Sequence, residues 1–142
     1  MAIYFSTHET KYCLKNKRRI IYWIKEISSI HKKKVGDISI IFTNDSYILE
    51  INKQYLKHNY FTDIITFDYS NKDIIVGDIF ISVDTVESNA QRFNTTFNDE
   101  ILRVIIHGIL HLIGFNDKID EEQKEMREQE NKSLELYYKK YE

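Results

Sequence analysis

Residues 101–115, ILRVIIHGILHLIGF, limit the possible folds of this chain more than any other stretch. Apart from Gly108 and Gly114, only Arg103, His107 and His111 are not apolar. These three fall at i, i+4 and i+8, which on an α-helix makes a single stripe. Every other side is aliphatic. A helix apolar nearly all round belongs in the middle of a domain or in a membrane. The apolar run 104–115 is far shorter than the roughly 20 residues a membrane span needs. Other elements must therefore wrap this helix, and something polar must face its stripe. An imidazole buried without a partner costs on the order of 1–3 kcal/mol.

The rest of the chain supplies that wrapping. IYFST (3–7) reads as a strand. Residues 14–31 form an amphipathic helix with Ile20, Ile24 and Ile27 on one side. DISIIFTN (37–44) is a strand, after which Asn44 or Asp45 caps a helix to about residue 55. TDIITFDY (62–69) and DIIVGDIFIS (73–82) are β-branched and aromatic, and the polar turn SNK between them predicts a hairpin. Gly77 marks a bulge or a close backbone approach. Asp84 with Glu87 predicts a capping box for a helix over 85–93. Asn98 or Asp99 opens the apolar helix, Gly114 stops it, and Asp120 with Gln123 starts a charged last helix to about residue 138. The expected fold is α+β: one domain, 1–142, with a small mixed sheet of about four strands packed with about five helices.

Composition narrows the functional classes. The chain has one cysteine, Cys13, so an internal disulfide and a cysteine metal cluster are both excluded. Charged residues near the N-terminus argue against a secretion signal, and a cytoplasmic setting is expected. The net charge of −2 is uneven: residues 1–34 hold nine Lys/Arg against two Asp/Glu, including KNKRR (15–19) and HKKK (31–34). Such a bias marks a nucleic-acid face or a solvated helix surface.

In HGILHLIGFND (107–117), two histidines four residues apart can reach one metal ion, and imidazole suits zinc. The alternative is two core histidines bonded to backbone carbonyls. A third ligand is needed. The helix stops at Gly114, and a short turn can return Asp117 to the imidazoles, with Asn116 a poorer rival; Asp117 could instead cap the last helix. Three protein ligands leave a fourth position for water, the form of a catalytic zinc site, and zinc lowers the pKa of that water to about 7. Gly108 stands where zinc peptidases of the His-Glu-x-x-His type carry their base, which disfavours peptide hydrolysis. Gly108 serves close packing or leaves room for substrate.

HGILHLIGFND also resembles the signature H-G-x-L-H-L-x-G-x-D-H of the YbeY family. Residues 51–69 resemble the family segment leading to its T-D strand, GDIFIS (77–82) its G-D-I-x-I-S strand, and DEEQKEM (120–126) its acidic final helix. The resemblance implies a zinc-dependent single-strand endoribonuclease, with a metal-activated water attacking a phosphodiester. It implies roles in ribosomal RNA maturation and ribosome quality control. The implied partners are single-stranded RNA or ribosomal RNA precursor and ribosome or small-subunit components, and the site is at the end of the signature helix with one zinc ion per chain. His107 and His111 match the first two ligands, and Asp117 stands at the position of the family's third, a histidine. A His2Asp site carries an extra negative charge, so its water is expected to be less acidic. Leu56 stands where the family usually has an arginine proposed to act on the phosphate. Lys57 and His58 follow it and are candidate phosphate contacts, as is Arg103; an exposed loop and an ion pair are the respective alternatives. Asp63 and Asp78 are candidates for the base. Two other functions stay open: a ribosome-assembly or RNA-binding factor with a structural metal, and a zinc hydrolase of peptide or amide bonds.

Overall fold

A computed structural model of the chain describes residues 2–55 in full, the backbone of Leu56, and residues 62–142. Lys57 and His58 lie outside the described residues. The strands are β1 (Ile3–Thr7), β2 (Lys34–Thr43), β3 (Ile64–Asp68) and β4 (Ile74–Ser82). The helices are α1 (Lys17–Ile30), α2 (Asp45–Ile51), α3 (Val83–Arg92), α4 (Phe97–Ile113) and α5 (Asp120–Leu136). Single π-helical turns, Asn52–Leu56 and Tyr137–Tyr141, extend α2 and α5. The sheet order is β1-β2-β4-β3. β1 and β4 run parallel to β2, while β3 is antiparallel to β4. This is the mixed four-stranded sheet and five-helix α+β arrangement expected from the pattern.

Alternation along the strands assigns the two sheet faces. Ile38, Ile40 and Phe42 of β2 and Ile75, Ile79 and Ile81 of β4 point into the main core with Trp23 and Ile24 of α1 and the aliphatic residues of α4. Ile65 of β3 points to the opposite face, where Ile48 and Ile51 of α2 cover it beside Phe67 and Phe80. Thus α4 has the sheet beneath it and α1, α3 and α5 around it. α5 is tied to α1 by the Trp23 indole N–H, which donates to the Ser133 carbonyl at 2.8 Å.

Glycine permits the close approach of α4 to the sheet. A Cβ on Gly108 would lie 2.9 Å from Ile64 Cδ1 and 3.0 Å from Ile79 Cδ1. One on Gly77 would lie 2.5 Å from the Phe67 carbonyl oxygen and 2.8 Å from Leu112 Cδ2. Of the two uses open for Gly108, packing is the one observed. Three helix starts differ from expectation, the last helix being capped at Ile119, whose N–H donates to Glu122, rather than at Asp120 with Gln123. Ser82, not Asp84, caps α3 by accepting from the Thr85 N–H, and Asp84 accepts from the Asp45 N–H at 3.0 Å. Thr96 caps α4 by accepting from the Asp99 N–H. At α3 and α4 a hydroxyl two or three residues earlier accepts one of the free N–H groups.

Candidate metal centre

From Glu100 to Ile113, every residue of α4 is buried except Arg103, His107 and His111. The stripe faces a cleft of about 1030 Å³ between α4, β3, the turn after α4 and α5. The helix ends at Gly114, whose φ of 126° is open to glycine and strained for other residues. The chain then turns back and presents Asp117 to the stripe. His107 Nε2 and His111 Nε2 are 3.1 Å apart. Asp117 Oδ2 lies 3.2 Å from each. The structure therefore brings together His107, His111 and Asp117, a group able to hold a metal ion.

The donor set fits zinc. Tetrahedral ligands at about 2.0–2.1 Å from zinc lie about 3.3 Å from one another, close to the observed triangle. Two imidazole nitrogens and one carboxylate oxygen are all acceptable to it. The remaining side of the triangle meets the cleft rather than a fourth protein ligand among the described residues.

Glu130 of α5 stands behind the triangle, only 6% exposed. One of its oxygens accepts from His107 Nδ1 at 2.7 Å, and the other from Arg103 Nη1 at 2.8 Å. Arg103 Nη2 donates to Asn131 Oδ1 at 2.9 Å. Burial pushes Glu130 upward, but the His107 and Arg103 hydrogen bonds and charges outweigh it and hold the carboxyl below its ordinary value. Burial pushes His107 downward, and the Glu130 hydrogen bond and charge, with Asp117 and Asp63, outweigh it and hold the imidazole above its ordinary value. Asp63 lines the same cleft, and burial raises its pKa. Asp78 pairs with Phe67 across the β3–β4 ladder, and along β4 it alternates with the inward Gly77 and Ile79, so it is turned away from the α4 face.

Glu130 was not singled out from sequence, although a pattern marks it. Met126, Glu130, Ser133, Leu134 and Tyr137 make the buried stripe of the last helix, so a carboxylate stands at an inward position. Arg103 lines the cleft, with its guanidinium engaged as an ion pair. The basic ends of α1 do not line the cleft: among the described residues, its cations are Arg103, Lys118 and Arg127. Packing of the apolar side of α1 on β2 turns KNKRR and HKKK elsewhere. His31 instead sets its ring against Phe115, with centroids 5.1 Å apart.

This α+β fold carries a His-His-Asp triangle, a group that could hold a metal ion, at the end of a buried helix beside a cleft. The family model described as Endoribonuclease YbeY matches residues 4–138. Proteins named Endoribonuclease YbeY are 49% identical in Bacteroides thetaiotaomicron, over 94% of this chain and 98% of the relative, and 50% identical in Parabacteroides distasonis, over 94% of each. The solution structure of a Thermotoga maritima protein superposes with a TM-score of 0.69 at 30% identity, covering 97% of this chain and 91% of that one. The chain belongs to the endoribonuclease YbeY family. No helix among the described residues is long and apolar enough to cross a membrane.

Proposed function

We propose that this protein is a zinc-dependent, single-strand-specific endoribonuclease of ribosomal RNA maturation and ribosome quality control. It would act in the cytoplasm on ribosomal RNA precursors, with ribosome or small-subunit components as partners and residues 1–142 as its one catalytic domain. The observation that carries the reading is the His107–His111–Asp117 triangle facing a cleft, in a chain about half identical to proteins named endoribonucleases. Bound at the triangle, a zinc ion would supply Lewis acidity toward a phosphoryl oxygen and a water far more acidic than bulk water, though less so than at a three-histidine site.

The chain's own residues do the rest. His107 Nε2, His111 Nε2 and Asp117 Oδ2 hold the ion. Asp63, a half-buried carboxyl on the cleft wall, would accept a proton. Phosphate contacts fall to the cations that reach the cleft with donors to spare. Lys118 is exposed, and Arg127 stands 3.8 Å from Glu130. Lys57 and His58, outside the described residues, are further candidate phosphate contacts in this reading. Arg103 lines the cleft but commits one N–H to Glu130 and another to Asn131. The cleft also carries Asp63, Asp68, Glu100, Asp117 and Glu130, so a divalent ion is needed to make it hospitable to a polyanion.

A structural metal in a non-catalytic assembly factor is the competing reading, and a closed four-ligand site is what it would require. Elemental analysis of wild type beside Asp117→Ala first tests the metal site that both readings share. About one zinc per chain, sharply reduced in the variant, is expected. A cleavage assay on single-stranded RNA then follows with His111→Ala, which should abolish turnover in a folded protein. Full activity in that variant would overturn the nuclease reading.

A further inference from the structure

We infer that Glu130 is a positioning residue of the metal centre: it fixes the tautomer and orientation of His107 so that its Nε2 lone pair faces His111 and Asp117. The inference rests on the metal reading above and deepens it. An ionised carboxylate only accepts hydrogen bonds, so at 2.7 Å from Glu130 Oε2 the proton of His107 belongs on Nδ1. A neutral imidazole with Nδ1–H keeps its free lone pair on Nε2. That is the atom 3.1 Å from His111 Nε2 and 3.2 Å from Asp117 Oδ2.

The carboxylate is itself held in place. Arg103, one turn before His107 on α4, binds its other oxygen, and Asn131 binds Arg103. The chain Asn131–Arg103–Glu130–His107 thus links two helices to one ligand atom. Stability alone explains it poorly. Replacing a buried ion pair by apolar groups of similar volume is often neutral or stabilising, and Glu130 sits on an otherwise largely apolar stripe with Met126, Leu134 and Tyr137. A carboxylate behind a metal-binding histidine accounts for the charge, because such partners orient the ring and raise its basicity.

The test titrates metal-free wild type and Glu130→Gln with zinc chloride against a chromophoric chelator, and records the visible spectrum of each with cobalt(II) in place of zinc. The variant should keep its far-ultraviolet circular dichroism while its zinc Kd rises about 10–100-fold, with altered cobalt bands. Should Glu130→Gln fail to fold, Glu130→Asp serves. It keeps the charge, but one methylene shorter it cannot span His107 and Arg103 together, and the same loss of affinity is expected. An unchanged zinc Kd and cobalt spectrum in a folded variant would overturn the role of Glu130 and leave the metal centre standing. A wild type that takes up no zinc would overturn both.

Discussion

Replacing Arg103 by methionine tests the charge network behind the triangle. The side chain of Glu130 is 8% exposed and that of Arg103 is 24% exposed, with 2.8 Å between their charged atoms. Removing one partner of a fully buried pair costs about 3–5 kcal/mol. Two features of this site reduce that. Arg103 is partly solvated, and Glu130 keeps His107 at 2.7 Å with Arg127 at 3.8 Å. Methionine also retains most of the aliphatic packing of the stem. A loss of about 2 kcal/mol is expected, which for a chain of this length lowers Tm by roughly 8 °C.

The pH dependence has a definite sign. Glu130 is held below its ordinary value of 4.5 in the folded state. Its contribution is therefore complete above pH 4.5 and is lost as pH falls through the folded value. The gap between wild type and Arg103→Met should be widest near neutral pH and should close in acid. Urea unfolding of both metal-free proteins across that range measures it. A gap below about 0.5 kcal/mol at neutral pH, or one that widens on acidification, would refute the reasoning.

Three further outcomes follow from the packing and the site. Gly77→Ala forces a methyl against the Phe67 carbonyl and should destabilise the protein by at least about 1–3 kcal/mol, because backbone rather than a flexible side chain must yield; unaltered urea stability would count against the close approach. Ser82→Ala removes the α3 cap and a 2.5 Å bond to Asp45 from a fully buried position, for a loss of about 1–2 kcal/mol, and Ser82→Thr should lose less. Zinc at about a hundred times its Kd should stabilise wild type by about 2.7 kcal/mol, seen as a rise in Tm that a chelator reverses and that Asp117→Ala lacks.

Much of this molecule is determined by local order. The α4 stripe is legible because periodicity alone separates Arg103, His107 and His111 from the aliphatic residues around them, and these three are the only residues from Glu100 to Ile113 that are not buried. The strands are legible from alternation and β-branched content, and the stop at Gly114 from the conformational freedom only glycine has there. The return of Asp117 to His111 is legible as one option of a turn too short to carry it far from the helix end.

Tertiary structure decided what depends on partners distant in sequence. Glu130 lies 23 residues from His107 and 27 from Arg103, among many glutamates of a charged helix. The helical stripe it shares with Met126, Leu134 and Tyr137 marks it as inward, but only the docking of α5 on α4 brings it to His107 and Arg103. Likewise KNKRR and HKKK carry a charge that suits nucleic acid, yet their place is set by which side of α1 packs on β2, and that side turns them away from the cleft. Composition and spacing determine which groups exist and which share a helix face. Where those faces meet is set by burial of apolar surface between elements, which no local pattern encodes.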